Sequence, residues 1–297
     1  MKKHISKLIV FIFGIGCLSI SSSEISPFPF KESSLFWEIK NPNSNKKSYL
    51  FGTMHLIEKE YFIFPKSLKE TVASADLLLM ELDRIPSPTE AMPLMTLNKG
   101  SFFDFFSSEQ VDSIIGWAKK DMKMDEQTFR KVFYKLKPFV AVQIAVQLQF
   151  SGKIESYEKS FFEISKSKDI LTEGLETIEE QMSLFDGLNK SEQAEMVMEN
   201  IRNPKKSIEL LKRMQQTYSR QNVDSLYLLI HEETSFINAK EADFIDNRNQ
   251  KWIPKIIQKL SSKSCFIAVG AGHLGGQMGL IRLLQKEGYT LTPIKLK

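Results

Sequence analysis

The sequence predicts an α/β fold: a central mixed sheet assembled from N- and C-terminal strands, with a large helical insertion between them. Three observations predict it. Lys47-Ser-Tyr-Leu-Phe-Gly-Thr-Met-His55 and Ser264-Cys-Phe-Ile-Ala-Val-Gly-Ala-Gly-His273 each read as a short strand that runs into glycine and delivers a histidine three residues later. Leu77-Leu-Leu-Met80 is a continuous apolar run ending in Glu81-Leu-Asp83, the pattern of a buried parallel strand with an acid at its carboxyl end. Residues from about 101 to 261 instead repeat their apolar positions at helical spacing.

In chain order, residues 1–23 are a separate object. Lys2, Lys3, His4 and Lys7 form a basic start, Leu8 to Ile20 an apolar run too short for a comfortable membrane span, and Ser19, Ser21, Ser22 and Ser23 small residues for a signal peptidase. They read as a cleaved export signal, which places the mature chain in the periplasm or outside the cell; an uncleaved anchor is the alternative. Gly14-Ile-Gly-Cys17 has the small residue that precedes a lipid-modified cysteine but lacks the aliphatic residue three positions before it, so a lipoprotein is the lesser alternative. No later stretch is long and apolar enough to span a bilayer.

Residues 24–33 read as an irregular arm, and residues 34–297 as the α/β domain. Ser34 to Lys40 is strand-like, and Asn41-Pro-Asn-Ser-Asn-Lys46 is dense in turn formers, so the strand carrying Gly52 becomes the second arm of a hairpin. An aromatic loop follows His55 as far as Phe64, and Pro65 opens a helix through Leu68, Val72 and Ala75. Strand, crossover helix and the strand Leu77 to Met80 make a βαβ-type unit, which puts His55 and Glu81 on one rim. Glycine, with no Cβ, is expected at each strand end to allow a sharp turn.

Arg84 to Gly100 reads as a loop. Helices follow: Ser107-Ser-Glu-Gln110 is a capping box ahead of Val111, Ile114, Ile115 and Ala118, and Lys137-Pro138 starts an apolar helix through Gln149. Gly152 to Lys168 reads as another helix, Ile170 to Glu176 as a strand, and Thr177 opens the next helix. From Ser191 to Ser261 the chain is helical by period, interrupted near Asn203-Pro204 and at Pro254. The strand Ser264 to Val269, the helix Gln277 to Glu287 and the strand Tyr289 to Lys295 form a second βαβ-like unit.

Length and composition narrow the function classes. With 297 residues, 42% hydrophobic and 26% charged, the chain can bury a sizeable core as one large domain or two ordinary ones. Its formal net charge of +4 falls to about +1 once the three signal lysines are removed, leaving no basic excess for nucleic acid. A membrane contact arises only through the signal or a lipid at Cys17. Removing the signal leaves Cys265 as the sole cysteine, hence no internal disulfide, and its strand position makes it a core residue.

Chemistry points to the two strand-end histidines. His4 leaves with the signal, and His231 is followed by Glu232 but has Ser235 where a zinc helix needs its second histidine, so it reads as an exposed helical residue. His55, His273 and Glu81 remain, and in open α/β sheets ligands bind at the carboxyl ends of strands. Imidazole and carboxylate together suit a divalent ion such as Mn²⁺, Co²⁺ or Zn²⁺, which would lower the pKa of its water and polarise a carbonyl. Glu81, then Glu176 and Asp83, are candidate proton acceptors. Glu176 reads equally as a helix-entry acid. Arg248 could pin a carboxylate or stabilise an oxyanion, and an interior salt bridge to Glu81 or Glu176 explains it as well.

Tyr49-Leu-Phe-Gly-Thr-Met-His-Leu56, the strand Leu77 to Asp83, Gly174-Leu-Glu-Thr-Ile-Glu-Glu-Gln181, Arg248-Asn249 and Val269-Gly-Ala-Gly-His-Leu274 resemble, in that order, the TraB/GumN family. The resemblance runs from about Phe36 to the C-terminus. It implies an erythromycin-esterase/ChaN-like α/β fold and, through the extracellular Tiki metalloproteases of the family, a metal site of His55, Glu81 and His273. The chain departs from the family twice: Glu155-Ser-Tyr-Glu158 stands where Gly-Val-Asp is frequent, and Asn222-Val-Asp224 where Gly-Asp is. The expected function is metal-dependent hydrolysis of amide or peptide bonds, with peptide or protein as substrate. Two alternatives stand beside it: a protein that binds haem, a peptide or a partner at the same rim, and a metal-free esterase with a histidine as base.

Overall fold

The structure, a computed structural model, describes residues 32–43, 46–234 and 244–297. The expected signal, His4, Cys17 and most of the arm at 24–33 lie outside these residues. The chain divides into two compact units. One is formed by Pro86–Ser151 and Met182–Lys212, the other by the segment ending at Ile85 with Gly152–Gln181 and Arg213–Lys297. The described residues form twelve helices and eight strands. None of those helices is long and apolar enough to cross a membrane.

The unit that includes both chain ends of the description holds the sheet. Its strands are β1 (Phe36–Lys40), β2 (Lys47–Thr53), β3 (Ile57–Glu58), β4 (Leu77–Met80), β5 (Ile154–Glu155), β6 (Leu171–Gly174), β7 (Cys265–Gly270) and β8 (Thr290–Ile294). Six make one mixed sheet in the order β6-β4-β7-β2-β1-β8, and β3 pairs with β5 separately. N- and C-terminal strands therefore share one sheet, as the sequence pattern requires. β6, β4, β7 and β2 run parallel, while the β1–β2 hairpin and the β1–β8 pair are antiparallel.

Every residue of β4, and Cys265 to Val269 of β7, is buried, so both faces of the sheet's centre are covered. Phe51 and Phe266 stack at 6.2 Å and meet Phe161, which comes from the helix Tyr157–Lys168. That helix packs with the helix Lys66–Ala73, whose Leu68 and Val72 are fully buried. The helix Asp246–Leu260 buries Trp252, Ile253, Ile256 and Leu260, and packs with Leu280–Lys286.

Several local expectations change. β2 and β4 do not touch: β7 inserts between them, and β2 and β1 separate β7 from β8. The two expected βαβ units are thus interleaved, because β7 fills the place beside β2 that the crossover leaves open. A helix Pro88–Leu94 interrupts the expected loop, nucleated by a capping box between Ser87 and Glu90 with proline at its start. The expected aromatic loop contains β3 and a short 3₁₀ turn, Lys59–Tyr61. The helix expected from Gly152 starts only at Tyr157, since Ser156 caps it and Ile154–Glu155 pairs with β3. Pro254 lies inside a helix without ending it.

The other unit is helical. Ser108–Asp121, Glu126–Phe133, Pro138–Gln147 and Lys190–Arg202 are among its helices. Ser107 and Gln110 form the expected capping box. Phe102, Phe129 and Phe133 are buried together, with the Phe129 and Phe133 rings stacked at 4.1 Å and Trp117 edge-on to Phe129.

Candidate active site

Register brings the strand ends level. Gly52 pairs with Val269 and Thr53 with Gly270 across β2 and β7, while Met80 pairs with Ala268 across β4 and β7. Glu81 follows Met80 directly, His55 lies two residues past Thr53, and His273 closes a 3₁₀ turn, Ala271–His273, right after Gly270. The glycines serve a different purpose from the one expected. Gly270 has φ −51° and Gly52 has no positive φ either, so neither needs glycine's backbone freedom. What they provide is room. A Cβ on Gly52 would meet Ala271 at 3.0 Å, and one on Gly270 would lie 3.3 Å from Glu81 Oε1, 3.6 Å from His273 Cδ2 and 3.9 Å from His55 Nε2. The three side chains therefore face one shared point above Gly270.

Glu81 is the hub. Its Oε1 accepts the Gly270 N–H at 2.8 Å and stands 4.0 Å from His55 Nε2 and 3.9 Å from His273 Nε2. Its Oε2 accepts from Arg248 Nη2 at 2.6 Å and from Gln181 Nε2 at 3.1 Å. The guanidinium also grips Glu176, with Nε at 3.0 Å and Nη2 at 2.7 Å, and its Nη1 reaches the Phe244 carbonyl at 2.9 Å. Arg248 is buried, so this is an interior ion-pair triad with a planar fork matched to two carboxylates. Burial opposes a charge on Glu81, and Arg248 with the two imidazoles overrides it, holding the carboxyl well below the usual range. For Glu176 burial wins over Arg248 and pushes the carboxyl up.

Each imidazole is held by its Nδ1. His55 Nδ1 is 2.8 Å from Glu158 Oε1, which also accepts from Thr53 Oγ1 at 2.7 Å, while Ser156 Oγ donates to Oε2 at 3.1 Å. Burial works against a charge on His55, yet the Glu158 carboxylate overrides it and the imidazole is pushed up to about 9. His273 Nδ1 lies 2.7 Å from Asn249 Oδ1. The Asn249 amide orientation is fixed because its Nδ2 donates to the carbonyls of His273 and Met278 at 3.2 and 2.8 Å. His273 Nδ1 is therefore the donor, and its Nε2 accepts from Arg248 Nη1 at 3.1 Å. Trp252 covers both groups, 4.5 Å from the His273 ring and 4.6 Å from the guanidinium.

The structure thus gathers His55, Glu81, Glu176, Arg248 and His273 into one cluster. Asp83 does not join it: the side chain is half exposed and pairs with Arg84. His231 sits on the helix Val223–Thr234, and its side chain lies outside the described residues. Asp224, in the second family departure, serves the backbone, accepting from Gly276 N–H and Arg282. Three participants were missed as single residues: Glu158, Gln181 and Asn249. Gln181 and Asn249 lie inside segments already singled out, and Glu158 ends the Glu155-Ser-Tyr-Glu158 departure, just past the Ser156 cap in a stretch read as uninterrupted helix.

Donor types and orientation suit a divalent cation. Two imidazoles, each oriented through Nδ1 in the way ligand histidines are held, and one carboxylate share a point, and two carboxyl groups face a single guanidinium. Among the described residues, however, no three His, Cys, Asp or Glu side chains already form a closed ligand group. Arg248 takes the lone pair of His273 that such a group would use.

Residues 35–293 match the model of the TraB/PrgY/gumN family, and the chain belongs to that family. No curated protein and no solved structure matches it.

Proposed function

We propose that this TraB/PrgY/gumN-family protein is an exported metal-dependent hydrolase of amide or peptide bonds. His55, Glu81 and His273 would hold the ion, with Mn²⁺, Co²⁺ or Zn²⁺ as candidates. The observation that carries this reading is the shared point above Gly270, faced by two imidazoles and a carboxylate. When bound, the ion would lower the pKa of a water and polarise the substrate carbonyl. The remaining roles belong to the chain. Glu158 orients His55 and stabilises its proton, Asn249 fixes the His273 tautomer, and Arg248 holds Glu81 and Glu176 in place. Loading requires Arg248 to release His273 Nε2. The sheet arrangement is in keeping with an erythromycin-esterase/ChaN-like relationship, and the apolar, serine-ended leader supports export.

Elemental analysis of the purified mature protein tests the reading directly. About one equivalent of metal is expected in the wild type and little in the His55→Ala, His273→Ala double variant; equal, negligible metal in both removes it. The hold of Arg248 on His273 favours a second reading, a metal-free esterase with the Glu158-oriented His55 as base at alkaline pH, where an imidazole pushed up to about 9 gives up its proton. Full activity in chelator, lost in His55→Ala, would select that reading instead.

A further inference from the structure

Gln181 is a buried polar side chain that the roles above leave unexplained. It is buried at 2% exposure, and its Nε2 donates to Glu81 Oε2 at 3.1 Å and to Glu176 Oε1 at 2.9 Å. Its Oε1 is buried with no hydrogen-bond partner among the described residues. A flipped amide would not cure this, because it would aim Oε1 at two carboxylate oxygens. The orphaned acceptor is therefore the consequence of what the NH₂ group does, and a buried polar atom left unpaired calls for such an explanation.

From this geometry we infer that Gln181 is a positioning residue for the ion-binding face of Glu81, an inference that rests on the metal-dependent reading. Glu81 has two oxygens with separate duties. Oε2 is clamped by Arg248 and Gln181, while Oε1 faces both imidazoles and the Gly270 N–H. Gln181 supplies the clamp with a neutral donor. It ties Glu81 to Glu176 without adding charge, so Oε2 stays occupied when the guanidinium shifts away from His273. Without it, a shift of Arg248 leaves Oε2 unclamped and the Gly270 N–H to hold the carboxylate through Oε1, so Oε1 is kept less firmly at the shared point. Donors behind ligating carboxylates characteristically govern metal affinity in this way.

Isothermal titration of the metal-stripped full mature chain with Mn²⁺ tests it, beside thermal unfolding of the same samples. Gln181→Met keeps the volume but removes the donor, and Mn²⁺ affinity is expected to fall about 10–100-fold. Gln181→Asn keeps the amide one methylene short and serves if the methionine variant does not fold; its expected loss is at the lower end of that range, about 10-fold. The thermal midpoint without metal should move little in either variant that folds. Wild-type Mn²⁺ affinity retained in the folded variants overturns the role of Gln181 while leaving the metal reading intact. A wild type that binds no Mn²⁺, Co²⁺ or Zn²⁺ removes both.

Discussion

The two compact units solve burial differently. In the helical unit the interior is aromatic and aliphatic, and Glu199 is its one buried ionisable side chain among the described residues. The sheet unit buries Glu58, Glu81, Asp224, Arg248 and His273, and three of these five meet at one rim. Burying a charge without a partner costs several kcal/mol, so such groups persist only where geometry satisfies them. The helical unit is built for packing, whereas the rim of the sheet unit gives up easy packing to hold charges close together. The candidate site lies in the second.

The sharpest way to break that contrast is to remove the cation from the rim. Arg248→Met leaves Glu81 and Glu176 buried with no guanidinium between them, and breaking a buried pair from one side costs about 3–5 kcal/mol. Urea unfolding at neutral pH should show that loss, with part of it returning as pH falls and Glu176, its carboxyl already raised by burial, becomes neutral. A loss below about 1 kcal/mol, the size typical of exposed pairs, would mean that the triad is not a buried charge cluster.

Truncation in the helical unit should be purely mechanical. Phe129 is fully buried against Phe133, Phe102 and Trp117, so Phe129→Ala is expected to cost about 3 kcal/mol, read by urea unfolding. Metal content of the folded variant should equal that of wild type. Smaller again is Glu158→Gln, which keeps the side-chain shape but weakens the bond that orients His55. Mn²⁺ affinity should fall about 10-fold, while urea stability changes by less than the Phe129 variant. An unchanged affinity would make Glu158 a packing residue.

Much of this was legible in the sequence because periodicity and strand-end position survive folding. The apolar run Leu77 to Met80 marked a central strand, and the two Gly-x-x-His ends marked the rim, since a parallel sheet places every strand's carboxyl end on one side. The strand order was not legible. That β7 lies between β2 and β4 depends on pairing across about two hundred residues, which local pattern does not encode. The role of glycine was misread for a related reason: Gly270 is needed for the space its missing Cβ leaves beside Glu81, and space depends on neighbours distant in sequence. Glu158, Gln181 and Asn249 escaped individual notice because they serve other side chains, and nothing in their own spacing announces it.

The contrast can be sharpened within a single strand. β7 begins at Cys265 and ends at Gly270, so one end is a packed core position and the other borders the charged rim. Cys265 is fully buried, and that burial pushes its thiol up to about 11. At pH 8 the thiolate is scarce and the sulfur shielded, so iodoacetamide should label the folded protein no faster than it unfolds. Cys265→Ala should cost about 1 kcal/mol and leave Mn²⁺ affinity unchanged. Gly270→Ala adds only a methyl at the other end, yet that methyl meets Glu81 Oε1 at 3.3 Å, and weakened Mn²⁺ binding is expected with the fold retained. If the two substitutions affected ion binding alike, the rim would have no privileged geometry and the division of labour along β7 would fail.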